Sequence, residues 1–147
     1  MADLAAFEAL VPLEHGLAVI AVTGPDGNIR PSVANVGVIE HPVTGARVVG
    51  VVVQGRARKL DHIRARPRVS AVLRAGWQWA AVEGPAELAG PADPMDGVDA
   101  ERLRLLLREI FIAAGGTHDD FDEYDRVMAQ DRRAAVLITP ERVFTNG

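Results

Sequence analysis

Arg56, Arg58, Lys59, Arg64, Arg66 and Arg68 place six of the sixteen cationic residues of the chain within thirteen consecutive positions. The first of them belong to the run Gln54-Gly55-Arg56-Ala57-Arg58-Lys59-Leu60-Asp61-His62-Ile63-Arg64, where an apolar stretch gives way to a helical pattern. A helix start offers unpaired N–H groups and the positive end of the helix dipole. Arg58 and Lys59 fall in its first turn, within reach of a phosphate or carboxylate, where each charge-assisted bond is worth about 1.5–3 kcal/mol. A solvated helix face would have the same composition, so both readings stand at this point. A coding bias towards arginine would explain why Lys59 is the single lysine, but not why the cations cluster. The acids gather elsewhere, eleven of the twenty lying between positions 93 and 131. An acidic chain with one basic segment can hold a small anion locally without binding polyanions in general.

Trp77-Gln78-Trp79 contains both tryptophans of a chain with seven aromatic residues. At strand period the two indoles share a face, either as packing or dimer contact or as a stacking wall beside a planar ligand. The four histidines, His15, His41, His62 and His118, have no metal-binding spacing, and no cysteine is present to complete a site. The segment His118-Asp119-Asp120-Phe121-Asp122-Glu123 lacks the register of a calcium loop and reads as a helix start. There is no Gly-x-Ser-x-Gly elbow, and Gly115-Gly116 follows a helical pattern instead of opening one as a phosphate loop would.

These groups need a frame to position them. Positions 3–10 read as a short helix capped by Asp3 and ended by Pro12. Strands are expected at 17–23, 29–39, 48–53, 69–73, 78–88, 134–139 and 143–145, with a short helix over 55–66 stopped before Pro67. A longer helix follows Asp99, with Leu103, Leu106, Leu107 and Ile110 at i, i+3, i+4 and i+7, and another is expected over 117–129. The run Val48-Val49-Gly50-Val51-Val52-Val53 does not alternate, so both faces of that strand should be covered. In so small an antiparallel protein the second cover is expected from a partner chain or a ligand. Hairpin connections dominate, which gives an α+β chain with an antiparallel, barrel-like sheet.

With 147 residues, 48% of them hydrophobic and 24% charged, the chain is expected to form one domain over 1–147 with a substantial core. A net charge of −4 argues against nucleic-acid partners. No apolar run approaches the roughly 20 residues of a membrane span, and Met-Ala-Asp-Leu-Ala-Ala-Phe-Glu-Ala-Leu lacks a basic leader region. A cytoplasmic location without membrane association is the expectation.

Three stretches resemble the split-barrel pyridoxamine 5′-phosphate oxidase-like superfamily. They are Pro31-Ser32-Val33-Ala34-Asn35-Val36, then Arg58-Lys59 with His62-Ile63-Arg64 and Pro67-Arg68-Val69-Ser70, then Val82, Gly84, Ala86 and Leu88 at alternate positions. More narrowly, Trp77 and Trp79 with Val82-Glu83-Gly84, and Gly115-Gly116-Thr117-His118-Asp119-Asp120 with Tyr124-Asp125-Arg126, resemble its flavin/deazaflavin oxidoreductases. That resemblance implies an antiparallel split β-barrel, FMN-binding in type, with flanking helices. It also implies a homodimer whose cofactor lies in a groove between subunits. Carried over by position, it makes Arg58 and Lys59 a phosphate clamp with Arg56 as an added cation. Ser32, Val33, Asn35 and Val36 fall on the strand whose backbone borders the tricyclic ring. Val52 and Gln54 lead into the clamp, and Trp79 stands at a ring or partner contact.

The implied activity is hydride transfer between the deazaflavin coenzyme F-420 and a small organic acceptor, with Tyr124, His118 or water supplying any proton. The alternatives are an FMN-dependent reductase on the same fold, or a carrier that holds the cofactor or haem without turnover. Two departures from the family pattern qualify this. The C-terminal Glu141-Arg142-Val143-Phe144-Thr145-Asn146-Gly147 lacks the Arg-x-His element with which pyridoxamine phosphate oxidases grip their substrate, so vitamin B6 oxidation is not expected. His62 stands where the family commonly carries Asn.

Overall fold

The computed structural model describes residues 3–147. The elements run α1 (Leu4–Glu8), a 3-10 turn (Val11–Leu13), β1 (Leu17–Thr23), β2 (Ile29–Glu40), β3 (Arg47–Val53), α2 (Arg58–Ala65), β4 (Arg68–Ala75) and β5 (Gln78–Ala89). They continue with α3 (Ala100–Ala113), α4 (Phe121–Gln130), β6 (Ala134–Ile138) and β7 (Arg142–Thr145). Antiparallel pairing runs β1-β2-β3-β6-β5-β4 and returns from β4 to β1, closing a six-stranded barrel.

Two long strands make the closure possible by changing partner along their length. β2 pairs with β1 up to Asn35 and with β3 from Val36 onward. β5 pairs with β6 through Ala86–Ala89, while its first half also holds the seventh strand, β7, through Ala80–Glu83. Gly84 sits at that handover. A side chain there would run into the Thr139 carbonyl, where the chain crosses between β6 and β7.

Alternate side chains point inward, among them Ala18, Ile20 and Val22 of β1, Val49, Val51 and Val53 of β3, and Ala80 and Val82 of β5. Phe7 of α1 and Leu60 and Ile63 of α2 join the same core, so these two helices close off the barrel interior. The second face of β3 is covered from within the chain, contrary to the expectation of a partner or ligand. Val48 and Val52 pack with Leu106, Leu107 and Ile110 of α3. Gly37 and Gly50, directly paired across β2 and β3, admit that helix. A Cβ on Gly50 would lie 2.8 Å from Ile110 Cγ1, and one on Gly37 would lie 2.7 Å from Ala113 Cβ. Each fully buried Leu or Ile on this face contributes about 1.5–3 kcal/mol, and this burial is what fixes α3 across the barrel.

α3 starts where expected, with the Asp99 carboxylate accepting from Arg102 N–H at 2.8 Å. The next helix starts later than its pattern indicated, at Phe121, because Asp120 caps it by accepting from Glu123 N–H. Arg104 and Arg108 of α3 both donate to Asp125 of α4, tying the two helices together. Among the described residues no helix is long and apolar enough to cross a membrane.

Candidate functional site: an uncapped helix start beside an apolar cleft

β3 ends at Val53, and the chain turns through Gln54-Gly55-Arg56-Ala57 into α2. Ala57 is the N-cap residue and has no side chain able to accept from the first turn. The N–H groups at this end therefore lack the side-chain partner that most helix starts recruit. The six clustered cations divide sharply here. Arg64 is held by Asp61 and, through two hydrogen bonds, by Asp93; Arg68 is held by Glu141; Arg66 donates to Thr23 O. Arg56, Arg58 and Lys59 have no carboxylate within ion-pair distance among the described residues. Burial without a counter-ion pulls the Lys59 ammonium below its usual pKa.

Lys59 opens onto a cleft of about 600 Å³, within the range typical of small-molecule sites. Its walls come from four parts of the fold. β2 gives Val33, Ala34 and Asn35; the end of β3 gives Val52, Val53 and Gln54; the C-terminal turn of α3 gives Ile110, Phe111 and Ala114; and Tyr124, Met128 and Arg133 complete it from α4 and the turn after it. Asn35 Nδ2 donates to His15 O at 2.8 Å, which draws the loop before β1 to the rim. The lining mixes aliphatic and aromatic side chains with the polar His15, Asn35 and Gln54 and the cations Lys59 and Arg133.

Of the residues singled out in the sequence, the fold brings Val33, Asn35, Val52, Gln54 and Lys59 into the cleft lining. Arg56 and Arg58 are exposed beside it, at the mouth of the helix start. Ser32 is half-buried and paired with Ile20, and Val36 is fully buried in the barrel core with its N–H donated to Gly16 O. Trp79 lies outside the lining, on the outer face of β5 and 37% exposed. Trp77 does not share that face as strand period implied. It occupies the β4–β5 turn, 94% exposed, because Gly76 adopts a left-handed conformation and reverses the chain there.

The cleft also recruits residues that no spacing pointed to. His15 reaches it from a left-handed backbone position, and Arg133 reaches it from the turn before β6. Tyr124 donates its hydroxyl to Leu107 O at 3.1 Å, and burial pushes its pKa up to about 12. Its hydroxyl proton is engaged on Leu107 O and its ring forms part of the cleft wall. His118 lies outside the lining, its Nδ1 accepting from Asp120 N–H. Among the described residues no group of three His, Asp or Glu side chains is placed to hold a metal ion.

No family model matches the chain. Solved structures do share its architecture. An FMN-binding protein related to pyridoxamine 5′-phosphate oxidase, from Nostoc punctiforme, superposes with a TM-score of 0.67 at 14% identity, covering 96% of this chain and 81% of that one. An F-420 reductase gives 0.61 at 14%, covering 93% and 94%. A haem-binding protein from Mycobacterium smegmatis gives 0.64 at 15%, and the similarity spans all of this chain but 55% of that one. At such identities the likeness is one of fold, and the fold is the split β-barrel of pyridoxamine 5′-phosphate oxidase-like proteins.

Proposed function

We propose that this chain is an oxidoreductase that binds the deazaflavin coenzyme F-420 in the cleft beside α2 and passes a hydride between it and a small organic acceptor. The observation that carries the reading is the division among the clustered cations. Arg64 and Arg68 are paired with acids, whereas Arg56, Arg58 and Lys59, in the segment that forms the uncapped start of α2, have no acid partner among the described residues. Lys59, half-buried and without an acid partner among the described residues, carries a desolvation cost in the apoprotein that a bound phosphate would offset. The group also fits the rest of the lining, since Val33, Val52 and Phe111 suit a planar ring and Asn35 and Gln54 offer amides to its polar groups.

The bound cofactor supplies the hydride chemistry itself. The protein's part is to bind and orient. Lys59 of the cleft lining, with the neighbouring Arg58, would hold the phosphate end, Val33 and Val52 would border the ring, and Phe111 with Tyr124 would exclude water from the wall. Tyr124 would hold its own proton on Leu107 O while its ring forms part of the wall.

The reading includes a homodimer, supported by an exposed apolar row on the barrel exterior. Val33, Val19, Val72, Ala81 and Phe144 are directly paired neighbours across β2, β1, β4, β5 and β7. Four of these five side chains are between 37 and 62% exposed. Val33 belongs both to this row and to the cleft, so a second copy seated on the row would border the cofactor.

An FMN-dependent reductase is the second reading, favoured by the same phosphate-sized arrangement. Titration with F-420 and FMN side by side, followed by cofactor fluorescence, separates the two. Saturable F-420 binding that is tighter than FMN supports the deazaflavin assignment, and the reverse order moves the protein to FMN chemistry. Binding of neither, with a Soret band after haem addition that disappears in His15→Ala, would replace both with haem binding.

A further inference from the structure

A second cavity, of about 460 Å³, shares Met128 and Arg133 with the cleft and otherwise has its own walls. It is roofed by the loop of residues 90–99, with Met95 and Val98 facing Leu103 of α3 and Met128 of α4. Its lining is predominantly apolar. The charged groups at its edge are almost all satisfied by one another. Asp93 accepts from Arg64 Nε at 2.8 Å and Nη2 at 2.7 Å, and Asp125 accepts from Arg104 and Arg108. Arg104 is held in addition by Glu101. Asp99, on the exposed rim, caps α3.

Arg133 is the exception. Its Nη2 meets Asp131 at 3.3 Å, but its Nε is buried with no hydrogen-bond partner, the one such side-chain atom among the described residues. That Nε is enclosed by protein, but the rest of the guanidinium, on a side chain 29% exposed, has the Asp131 contact as its one hydrogen bond among the described residues and keeps donors free for an anionic acceptor. An apolar chamber with paired acids and one under-used guanidinium selects against cations and polyols. It suits an apolar body with a single acidic head.

We propose that this cavity binds a small apolar monocarboxylate, its hydrocarbon or aryl body between Met95, Val98, Leu103 and Met128 and its carboxylate accepting from Arg133. The site meets the neighbouring cleft at Met128 and Arg133, so the test is made without cofactor. The test titrates the full chain, without cofactor, with 2-naphthoate and with uncharged 2-methylnaphthalene, following ligand fluorescence. The expected result is one saturable 2-naphthoate site per chain, bound about tenfold or more tighter than the hydrocarbon. Arg133→Met removes that preference, and Arg133→Gln does the same if the methionine variant unfolds on heating far below the wild type. Val98→Trp, on the loop, and Leu103→Trp, on the helix, fill the chamber and weaken both probes by about tenfold or more. Lys59→Ala borders only the cleft and leaves both affinities unchanged. Absence of saturable binding would overturn the proposal, as would equal affinity for the two probes. So would full binding in both tryptophan variants, or loss of binding in Lys59→Ala, which would place the probe in the cleft.

Discussion

Lys59 meets the cleft half-buried and without a counter-ion, so it should act on stability and on binding in opposite directions. Burial lowers its folded pKa below the ordinary 10.5, which means the protonated form is disfavoured by folding. The penalty is full at neutral pH and vanishes above pH 10.5, where the group is neutral in both states. Lys59→Met should therefore raise the thermal midpoint of the apoprotein at pH 7 but not above 10.5, while weakening any phosphate ligand. Affinity for that ligand should fall as Lys59 loses its proton, and a profile that stays flat from neutrality to beyond the ordinary lysine value of 10.5 would remove Lys59 from the site. Tyr124→Phe deletes one buried hydrogen bond and should cost about 1 kcal/mol in denaturant unfolding while leaving the pH dependence of turnover unchanged. Arg58 and Lys59 were legible in the sequence because a cation pair at a helix start is a local pattern. The sequence singles out Tyr124 as a proton donor, but the meeting of His15, Tyr124 and Arg133 at one cleft was not legible, because each comes from a different segment and only the folded barrel brings them together.

At the level of elements, the pairing of Gly37 with Gly50 decides how closely α3 can lie across β2 and β3. Gly50→Ala should destabilise the fold by about 1–3 kcal/mol through contact with Ile110, measurable as a lower denaturant midpoint with the m-value unchanged. The α3–α4 clamp adds an acid-sensitive element. Hydrogen bonds from Arg108 and then Arg104 hold the Asp125 carboxyl below its ordinary value of 3.8. A depressed carboxylate pKa stabilises the fold above the unfolded value and ceases to do so as pH falls through the folded one. Amide exchange in α4 should accordingly quicken below pH 3.8 before the barrel strands respond, and Asp125→Asn should abolish that early step. The elements themselves followed from periodicity, as in β1, which spans the stretch its apolar run marked out. The cover of β3 did not. A non-alternating strand reports that both faces are buried, but not whether the second cover is a helix of the same chain or another molecule.

For the molecule as a whole, the exposed row through Val19 and Val72 is the expected seat of a second copy, and it touches the cleft at Val33. Val72→Asp should shift the sedimenting species from dimer to monomer and weaken cofactor binding in parallel. A monomeric wild type, or a monomeric variant with full affinity, would separate the cleft from any interface. The row could not be read from sequence because it runs across five strands, one residue from each, in an order that only the closed sheet defines. Cofactor binding is proposed to rest on Arg58 and Lys59 at the start of α2, which have no acid partner among the described residues and would hold the phosphate of a redox cofactor. The most direct measurement is the F-420 dissociation constant of the wild type against Arg58→Ala/Lys59→Ala, with Arg68→Ala, whose cation Glu141 already neutralises, as the control. Loss of two charge-assisted bonds should weaken binding about tenfold or more in the double variant and leave the control within about twofold. Equal constants for the double variant and the wild type would contradict the assignment.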